Sequence, residues 1–383
     1  MDDTCVRTGS AANSKKAVYY PLFVRLEQAI RNGDFSPGEM IATENALAHS
    51  EGLSRSSVRK AVAMLIREGL VERRAGKGVF AREASAVTCR VKIIVPNLDD
   101  YLQIQVAQGA QDFGGLRGVE VHIYDARRNI EMDLNIIKRL PTDFADGAII
   151  THLHYDNRFT EALCQLKQAN YPFVLVDSDL REINVNSIVS DNYQGGYAVG
   201  QELVRLGHRR VGCLGNMAIA ETSRQRLEGF RDAIGDAGLP FDRSLVKELA
   251  TDATRSDWRE LECRCTREVM ALPDPPTALF YSSDNPAAHS YLELKKMGLR
   301  IGHDVSVVGF DDSPIASLLD PPLASVRQPV EEMGQIAMEM LLSQLASPQS
   351  ETQRRVLPVE LISRASLGPP TKNVKKGTTD KHG

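Results

Sequence analysis

Side chains able to bind nucleic acid are concentrated in one short stretch of the chain. Between Gly52 and Arg82 the sequence has eight Lys and Arg against two Glu, whereas the whole chain of 383 residues has a formal net charge of −4. An arginine fork can bond two acceptors on a guanine edge, and Ser and Lys reach phosphates. A basic stretch inside an acidic chain is typical of a DNA-binding module joined to another domain. The alternative is that these charges only solvate a helical face.

A winged helix-turn-helix is predicted to position these cations. The pattern predicts a first helix over residues 21–32, a short helix from the N-cap Thr43 to His49, and a longer helix from the N-cap Ser54 to Glu68. Residues 71–80 then predict two strands joined by a glycine-rich turn with Lys77 at its tip. Because the longer helix buries its apolar side, its small and cationic residues must face outward.

The outward face of this module predicts an interface with double-stranded DNA. Base contacts are expected from the start of the longer helix, and backbone contacts from the wing. The residues predicted to contact DNA are Thr43, Glu44, Ser54, Arg55, Ser56, Ser57, Arg59, Lys60, Lys77 and Gly78.

The same stretch resembles the DNA-binding domain of GntR-type bacterial regulators. The resemblance is carried by FSPGEMIATENALAHSEGLSRSSVRKAVAMLIREGLVERRAGKGVFA. It implies a homodimer on an inverted-repeat operator, with DNA contacts from Arg55, Ser57, Arg59 and Gly78. Family members commonly have Leu-Pro-Ser-Glu where this chain has Ile-Ala-Thr-Glu over residues 41–44, so the proline of that turn is missing.

Beyond residue 90, short apolar runs alternate with helical patterns. This alternation predicts an α/β fold with parallel sheets flanked by helices. Ligands of such sheets bind beyond the carboxyl ends of the strands. The first polar residues after the runs are Asn97, Asp125, Asp177, Asp284 and Asp311. Helix capping is an open alternative for Asp284, which precedes Pro286, and turn formation is one for Asp177 and Asp311.

Residues 91–366 resemble the effector domain of LacI/GalR regulators, which has the two-lobed fold of type I periplasmic sugar-binding proteins. The segments SIVSDNYQGGYAVGQELVRLGHRRVGCLG and PTALFYSSDNPAAHSYLELKKMGLRIGHDVSVVGFDD carry the resemblance. It implies a first lobe from residues 91–186 and 326–345, and a second lobe from the intervening residues and 354–366. The effector-binding residues expected in the cleft are Asp177, Arg226, Trp258, Asp284 and Asp311.

Carboxylates, an arginine fork and a flat aromatic ring together suit a sugar or another small polar ring. For Arg226 an exposed helical position, and for Trp258 a place in the core, are alternatives. A GntR-type head on a LacI-type effector domain resembles the arabinose repressor subgroup of GntR regulators, although this arrangement does not identify the effector.

The domain organisation predicted from these patterns has five segments. They are a disordered amino terminus (1–17), the winged helix-turn-helix (18–82), a linker (83–90), the two-lobed effector-binding and dimerisation domain (91–366) and a disordered tail (367–383).

Composition and motifs exclude several other classes. No apolar run reaches the ~18 residues of a membrane span, and the amino terminus lacks the pattern of a secretory signal, which predicts a cytoplasmic protein. Six scattered cysteines predict reduced structural thiols. No catalytic or cofactor motif appears, and His152 and His154 lack a third metal ligand nearby in sequence, so we expect no enzyme, metal site or cofactor. The prediction is an effector-controlled transcription regulator, expected to be a repressor; the alternative is a solute-binding or sensing protein without a DNA-binding role.

Overall fold

The computed structural model describes residues 11–31, 33–67, 70–74, 76–82, 89–151, 157–178, 180, 183–218, 220–249 and 258–371. The chain divides into two compact units, Met1–Thr88 and Cys89–Gly383. Residues 1–10, 83–88 and 372–383, which carry parts of the predicted terminal segments and linker, lie outside the described residues, as do His152 and His154.

The first unit is a small helical domain closed by a sheet. Its elements are α1 (Ala11–Arg31), β1 (Met40–Ala42), α2 (Glu44–Ser50), α3 (Arg55–Arg67), β2 (Val71–Arg74) and β3 (Gly78–Ala81). The strands form an antiparallel sheet in the order β1-β3-β2. Apolar residues of α1, α2 and α3 pack with Val71 and Val79 in one core. The predicted helix pair and strand hairpin are therefore confirmed, while β1 was not predicted.

The first helix begins earlier than expected. It starts at Ala11 instead of Pro21, ahead of the start that the proline predicted. Proline is favoured in a first turn, and in a helix interior it removes one backbone hydrogen bond and its ring clashes with the carbonyl of residue i−4. Leu22, Phe23, Leu26 and Ile30 are buried in the core that α1 shares with α3, and this packing keeps the helix continuous past the proline.

The second unit has two lobes, each with a six-stranded sheet between helices. The first sheet has the order β14-β8-β7-β6-β4-β5 and is parallel throughout. Helices α4 and α12 cover one face and α5 and α6 the other. The elements of this lobe are β4 (Cys89–Val95), α4 (Tyr101–Gly115), β5 (Val119–Asp125), α5 (Ile130–Arg139), β6 (Gly147–Thr151), α6 (Asn157–Gln168), β7 (Phe173–Val176), β8 (Asn186–Ser190), α12 (Val330–Ala346) and β14 (Arg354–Leu357).

The second lobe repeats this arrangement. Its sheet has the order β10-β9-β11-β12-β13-β15, and only the pairing of β13 with β15 is antiparallel among the described strands. Helices α7 and α8 pack on one face and α9 and α10 on the other. The elements are α7 (Asn192–Arg205), β9 (Val211–Gly215), α8 (Glu221–Asp236), β10 (Val246–Glu248), α9 (Trp258–Met270), β11 (Ala278–Tyr281), α10 (Asp284–Lys296), β12 (Ser306–Asp311), α11 (Pro314–Leu318), β13 (Ala324–Arg327) and β15 (Glu360–Ile362).

The chain passes between the lobes three times, after β8, after β13 and after β14. The predicted lobe limits therefore need correction. Residues 187–190 and 354–357 belong to the first lobe, and residues 326–327 to the second. Strand partners are set by contacts between distant segments, which a local pattern does not contain.

Two boundary predictions also change. Cys89 and Arg90, predicted as linker, pair with Val119 and Glu120 in the first sheet. Gly368, predicted as disordered tail, donates its N–H to Ser306 Oγ (3.0 Å), and its carbonyl accepts a hydrogen bond from the same hydroxyl (2.9 Å). The second domain thus extends at least from Cys89 to Gly368.

Glycines bring helices α7 and α8 into backbone contact. A Cβ added at Gly196 would lie 1.9 Å from the Arg226 carbonyl oxygen, and one at Gly229 would lie 1.9 Å from that of Tyr193. No side chain fits such a gap, so the two helices are held at a close, fixed separation. This packing fixes the position of α8, which carries Arg226.

Candidate functional site

A pocket of about 390 Å³ lies between the two lobes of the second unit. This volume falls in the range of about 300–1,000 Å³ that is usual for small-molecule sites. Its walls come from the carboxyl ends of β4, β7, β9, β11 and β12 and from helices α4 and α8 to α10. The lining residues are Pro96, Asn97, Asp100, Leu102, Gln103, Arg128, Asp177, Asn216, Ala220, Thr222, Ser223, Arg226, Glu262, Ser282, Ser283, Asn285, Pro286, His289 and Asp311.

Arg226 is a buried cation in the pocket wall, with 5% of its surface exposed. Its Nε donates to Asn192 Oδ1 (2.8 Å), and its Nη1 donates to the Ser282 carbonyl (2.5 Å). The guanidinium carbon lies 3.7 Å from the centroid of the Phe310 ring, which fixes the plane of the fork. Burial lowers the pKa of Arg226, and Asp311 and Asp177 oppose that change. Arg226 thus lines the pocket, and its contact with an effector stays a prediction.

Two carboxyl groups line the pocket together with this guanidinium. Asp311 Oδ1 lies 3.7 Å from Arg226 Nη1 and accepts a hydrogen bond from Gln328 Nε2 (2.8 Å). Burial raises the pKa of Asp311 well above its ordinary value, and the charge of Arg226 acts in the opposite direction. Asp177 is buried at the end of β7. Both aspartates therefore line the pocket beside Arg226, and their contact with an effector stays a prediction.

Both aspartates also have a left-handed backbone, with φ of 54° for Asp177 and 112° for Asp311. L residues adopt this region rarely, and it is found preferentially at binding sites. Each of the two pocket aspartates thus lies in an uncommon backbone conformation at the carboxyl end of its strand.

Asp284 does not line the pocket, which corrects its prediction as an effector-binding residue. Its Oδ2 accepts hydrogen bonds from Ser313 N (2.7 Å) and Ser313 Oγ (3.0 Å), and its Oδ1 accepts one from Ser325 Oγ (2.6 Å). Both oxygens are engaged, so Asp284 joins the start of α10 to the segments around β12 and β13. Its role in this structure is to fix the strand ends that carry the pocket residues.

The buried Asp284 should make stability depend on pH. Burial raises its pKa from 3.8 to about 6. Because the folded protein holds this proton more tightly than the unfolded chain, the contribution is fully present below about pH 4 and is lost as pH rises through about 6. We expect D284N to remove that part of the pH dependence. Urea unfolding followed by circular dichroism at pH 4, 5, 6 and 7 should therefore show a wild-type advantage that shrinks with increasing pH; a constant or growing difference would contradict this origin.

The other two predicted strand-end residues differ in whether they line the pocket. Asn97 lines the pocket, and its Oδ1 accepts a hydrogen bond from Asp99 N (3.0 Å). Asp125 Oδ1 accepts one from Arg127 N (2.8 Å) in a turn and is not among the lining residues. Trp258 begins α9, but its side chain lies outside the described part of the structure, so its stacking role stays a prediction.

Two neighbouring pocket residues, on helices α9 and α10, were not predicted from the sequence. His289 Nδ1 lies 2.5 Å from Glu262 Oε2, and both side chains line the pocket. Asn216, at the end of β9, was missed as well. The strand-end rule could have identified Asn216, whereas Glu262 and His289 lie within helices and meet only because α9 packs against α10.

In the first unit, the start of the longer helix is held by a local cap. Ser54 Oγ accepts a hydrogen bond from Ser57 N (3.1 Å) and lies 2.9 Å from the hydroxyls of both Ser56 and Ser57. Thr43 caps α2 in the same way through Ala46 N (3.1 Å). These hydroxyls thus have structural partners within the unit.

The outward face of α3 is cationic. Arg55, Ser56, Arg59 and Lys60 are exposed, and Ser57 is half-buried. The Lys60 Nζ lies 5.8 Å from the centroid of the Tyr19 ring. This exposed face of one helix has the form that a major groove admits.

Glu44 is placed between two arginines of this surface. Its Oε2 lies 3.7 Å from Arg59 Nε, and its Oε1 forms an ion pair with Arg73. Since a carboxylate repels phosphate, we interpret Glu44 as a residue that orients Arg59 and Arg73, and not as a residue that itself contacts the DNA backbone.

The tip of the β2–β3 hairpin exposes Lys77 next to Gly78. Gly78 has φ of 129°, and an added Cβ would lie 3.0 Å from the Ala42 carbonyl oxygen. Glycine is therefore required for the close contact of β3 with β1. This requirement accounts for Gly78 without a direct DNA contact.

No group of three or more His, Cys, Asp and Glu that could hold a metal ion occurs among the described residues. Within the same residues, no helix combines the length and apolar character needed to cross a membrane.

Two family models match the chain. Bacterial regulatory proteins of the gntR family match residues 19–81, and a periplasmic binding protein-like domain matches residues 201–367. The first range covers the helices and hairpin of the first unit. The second covers most of the second lobe together with α12. Both resemblances derived from the sequence are thus confirmed.

The chain is similar to named proteins over most of its length and of theirs. The chain is 26% identical over 326 residues to the HTH-type transcriptional repressor CytR of Escherichia coli (strain K12), covering 84% of this chain and 90% of that protein. It is 26% identical over 337 residues to the arabinose metabolism transcriptional repressor of Geobacillus stearothermophilus, covering 85% and 91%. Among solved structures, the transcriptional regulator CelR–cellobiose complex matches with a TM-score of 0.65 and 26% identity, over 82% of this chain and 90% of that chain. The chain therefore joins a helix-turn-helix domain of the bacterial gntR family to a periplasmic binding protein-like domain, and over most of its length it is similar to named transcriptional repressors.

Proposed function

We propose that this protein is a transcription repressor whose affinity for operator DNA is controlled by a small polar effector, a sugar or sugar derivative, bound between the lobes. The observation that carries this proposal is the group formed by Arg226, Asp177 and Asp311 in the pocket of a chain that also carries a cationic winged helix-turn-helix. The relatives are named as repressors, and one similar solved structure is a complex with cellobiose. Both findings support the proposal of an effector-controlled repressor.

The pocket chemistry suits a polyhydroxylated ring. Arg226 donates in a fixed fork, and the carboxyl groups of Asp177 and Asp311 accept hydrogen bonds from hydroxyls. Ligand atoms between them would contact both lobes, since Asp177 follows a strand of the first lobe and Arg226 and Asp311 belong to the second. A ligand that bridges the lobes favours the arrangement in which they are closed.

The three connections between the lobes are the expected hinge. An effector changes operator affinity only if it binds two lobe arrangements with different affinity, and such a coupling is typically about 1–3 kcal/mol. We further propose that the protein acts as a homodimer on an inverted repeat, with half-sites about 34 Å apart. We also propose that it is cytoplasmic and has no enzymatic activity.

Fluorescence anisotropy with labelled DNA from the promoter region of the protein's own locus tests this proposal. We expect binding that weakens steeply between 50 and 200 mM salt, by about 10³-fold or more if six or more phosphates are contacted. The chain without residues 1–82 should lose this binding and keep the pocket. If the full chain shows no salt-dependent association with any such fragment, a solute-binding or sensing protein without a DNA role is the better description.

A further inference from the structure

Glu262 and His289 form a hydrogen-bonded pair in the pocket wall. The imidazole Nδ1 lies 2.5 Å from the carboxylate, Glu262 is 7% exposed, and both residues line the pocket. The two backbones are held as well, since Thr266 Oγ1 donates to the Glu262 carbonyl (3.0 Å) and Cys263 Sγ lies 3.8 Å from the His289 carbonyl. Neither side chain of the pair is a partner of Arg226, whose described hydrogen-bond and ion-pair partners are Asn192, Ser282 and Asp311.

The chemistry of the pair defines what it can accept. When Nδ1–H donates to Glu262, the second nitrogen of a neutral His289 is an acceptor, and the second oxygen of Glu262 is an acceptor too. Neither atom makes another hydrogen bond to the described residues. The pair therefore presents acceptors to the ligand, which a hydroxyl or an amine satisfies and a phosphate or carboxylate does not.

The other charges of the pocket act in the same direction. The described lining residues include four carboxyl groups and two guanidinium groups. The carboxyl groups belong to Asp100, Asp177, Glu262 and Asp311, and the guanidinium groups to Arg128 and Arg226. Arg226 is already next to Asp311 and bonded to Asn192 and Ser282. An anionic group beside Glu262 would therefore meet the like charge of this carboxylate, in a lining where carboxyl groups outnumber guanidinium groups.

We propose that the Glu262–His289 pair determines ligand specificity, selecting a ligand that turns a hydroxyl or amine toward it and excluding phosphate and carboxylate groups. The inference rests on the proposed function only in requiring that the pocket bind a small molecule.

Matched ligands test this selection with the full-length protein. The neutral probes are ribose, glucose and adenosine, the amine probe is glucosamine, and the anionic probes are ribose 5-phosphate, glucuronate and adenosine monophosphate. Thermal-shift measurement identifies binders, and titration calorimetry gives the ratio of neutral or amine affinity to anionic affinity. We expect at least one neutral or amine probe to bind and its anionic counterpart to bind at least about tenfold more weakly. Preferential binding of an anionic probe, or no binding by any neutral or amine probe, would overturn the proposal.

Two substitutions should move this ratio in opposite directions. E262Q removes the repelling charge, so we expect the preference against anions to fall by at least about tenfold. H289L removes the only hydrogen-bond donor to this carboxylate among the described residues, so its negative charge is less offset and the preference against anions should increase. Loosened structure alone would weaken all probes together. The exposed Arg231, on α8, provides the control R231Q, which should leave the ratio unchanged. An unchanged ratio in both variants, or the same direction of change in both, would overturn the assignment.

Operator binding by the same samples without ligand keeps the two proposals separate. Loss of DNA binding with the probe selectivity intact counts against the proposed function alone, and the reverse result counts against the specificity role of the pair alone.

Discussion

Replacing Arg226 with methionine is expected to abolish high-affinity effector binding. The substitution removes the donor fork and the cation that lies 3.7 Å from the buried Asp311. Loss of a buried charged group that hydrogen-bonds a ligand costs about 2–5 kcal/mol in binding, which corresponds to an affinity roughly 30-fold to several thousandfold lower. Titration calorimetry with the sugar that most stabilises the wild-type protein measures this loss.

Two further substitutions test whether the loss of affinity comes from the guanidinium group of Arg226 itself. R226K keeps the charge but not the planar fork, so we expect an intermediate loss. R231M removes a guanidinium from the same helix, where the Arg231 side chain is 46% exposed, and should leave the affinity within about twofold of the wild type. Equal affinity of R226M and R231M would show that Arg226 does not contact the effector.

The second large effect is expected from the double substitution of Arg55 and Arg59 by alanine. Both side chains are exposed on the outward face of α3. Each bidentate contact of an arginine with a guanine edge contributes about 1–3 kcal/mol of discrimination, so the double variant should bind operator roughly 30-fold to 10⁴-fold more weakly. Anisotropy titration at one fixed salt concentration measures the change.

The matched control removes the same charge elsewhere. Arg205 and Arg231 are exposed on α7 and α8 of the second unit, and their double alanine variant should reduce operator affinity by no more than about threefold. Retained operator binding by the Arg55 and Arg59 variant would exclude this face of α3 from the DNA interface. A loss of equal size in both double variants would mean that only net charge matters.

The amino-terminal unit could be predicted from sequence because its signals are local. The caps at Thr43 and Ser54 are made by hydrogen bonds to residues three positions on, and the helical period of α3 separates a buried side from a cationic one. Strand β1 was missed because it has three residues and depends on its pairing with β3.

The pocket was only partly predictable, since the decisive contacts are distant in sequence. Asp177, Arg226 and Asp311 were found from strand ends and motifs. Asp284 satisfies the same strand-end rule, yet Ser313 and Ser325, 29 and 41 residues away, engage both of its oxygens. Glu262 and His289 are 27 residues apart on two helices, and only the packing of these helices brings them together.

Coupling between the pocket and the DNA-binding head can be measured as a thermodynamic cycle. The operator dissociation constant is determined with and without saturating effector, and the effector dissociation constant with and without saturating operator. We predict that both change by the same factor, between about 5 and 150, since linkage requires reciprocity. Operator affinity that is identical with empty and saturated pockets would contradict control of DNA binding by the ligand.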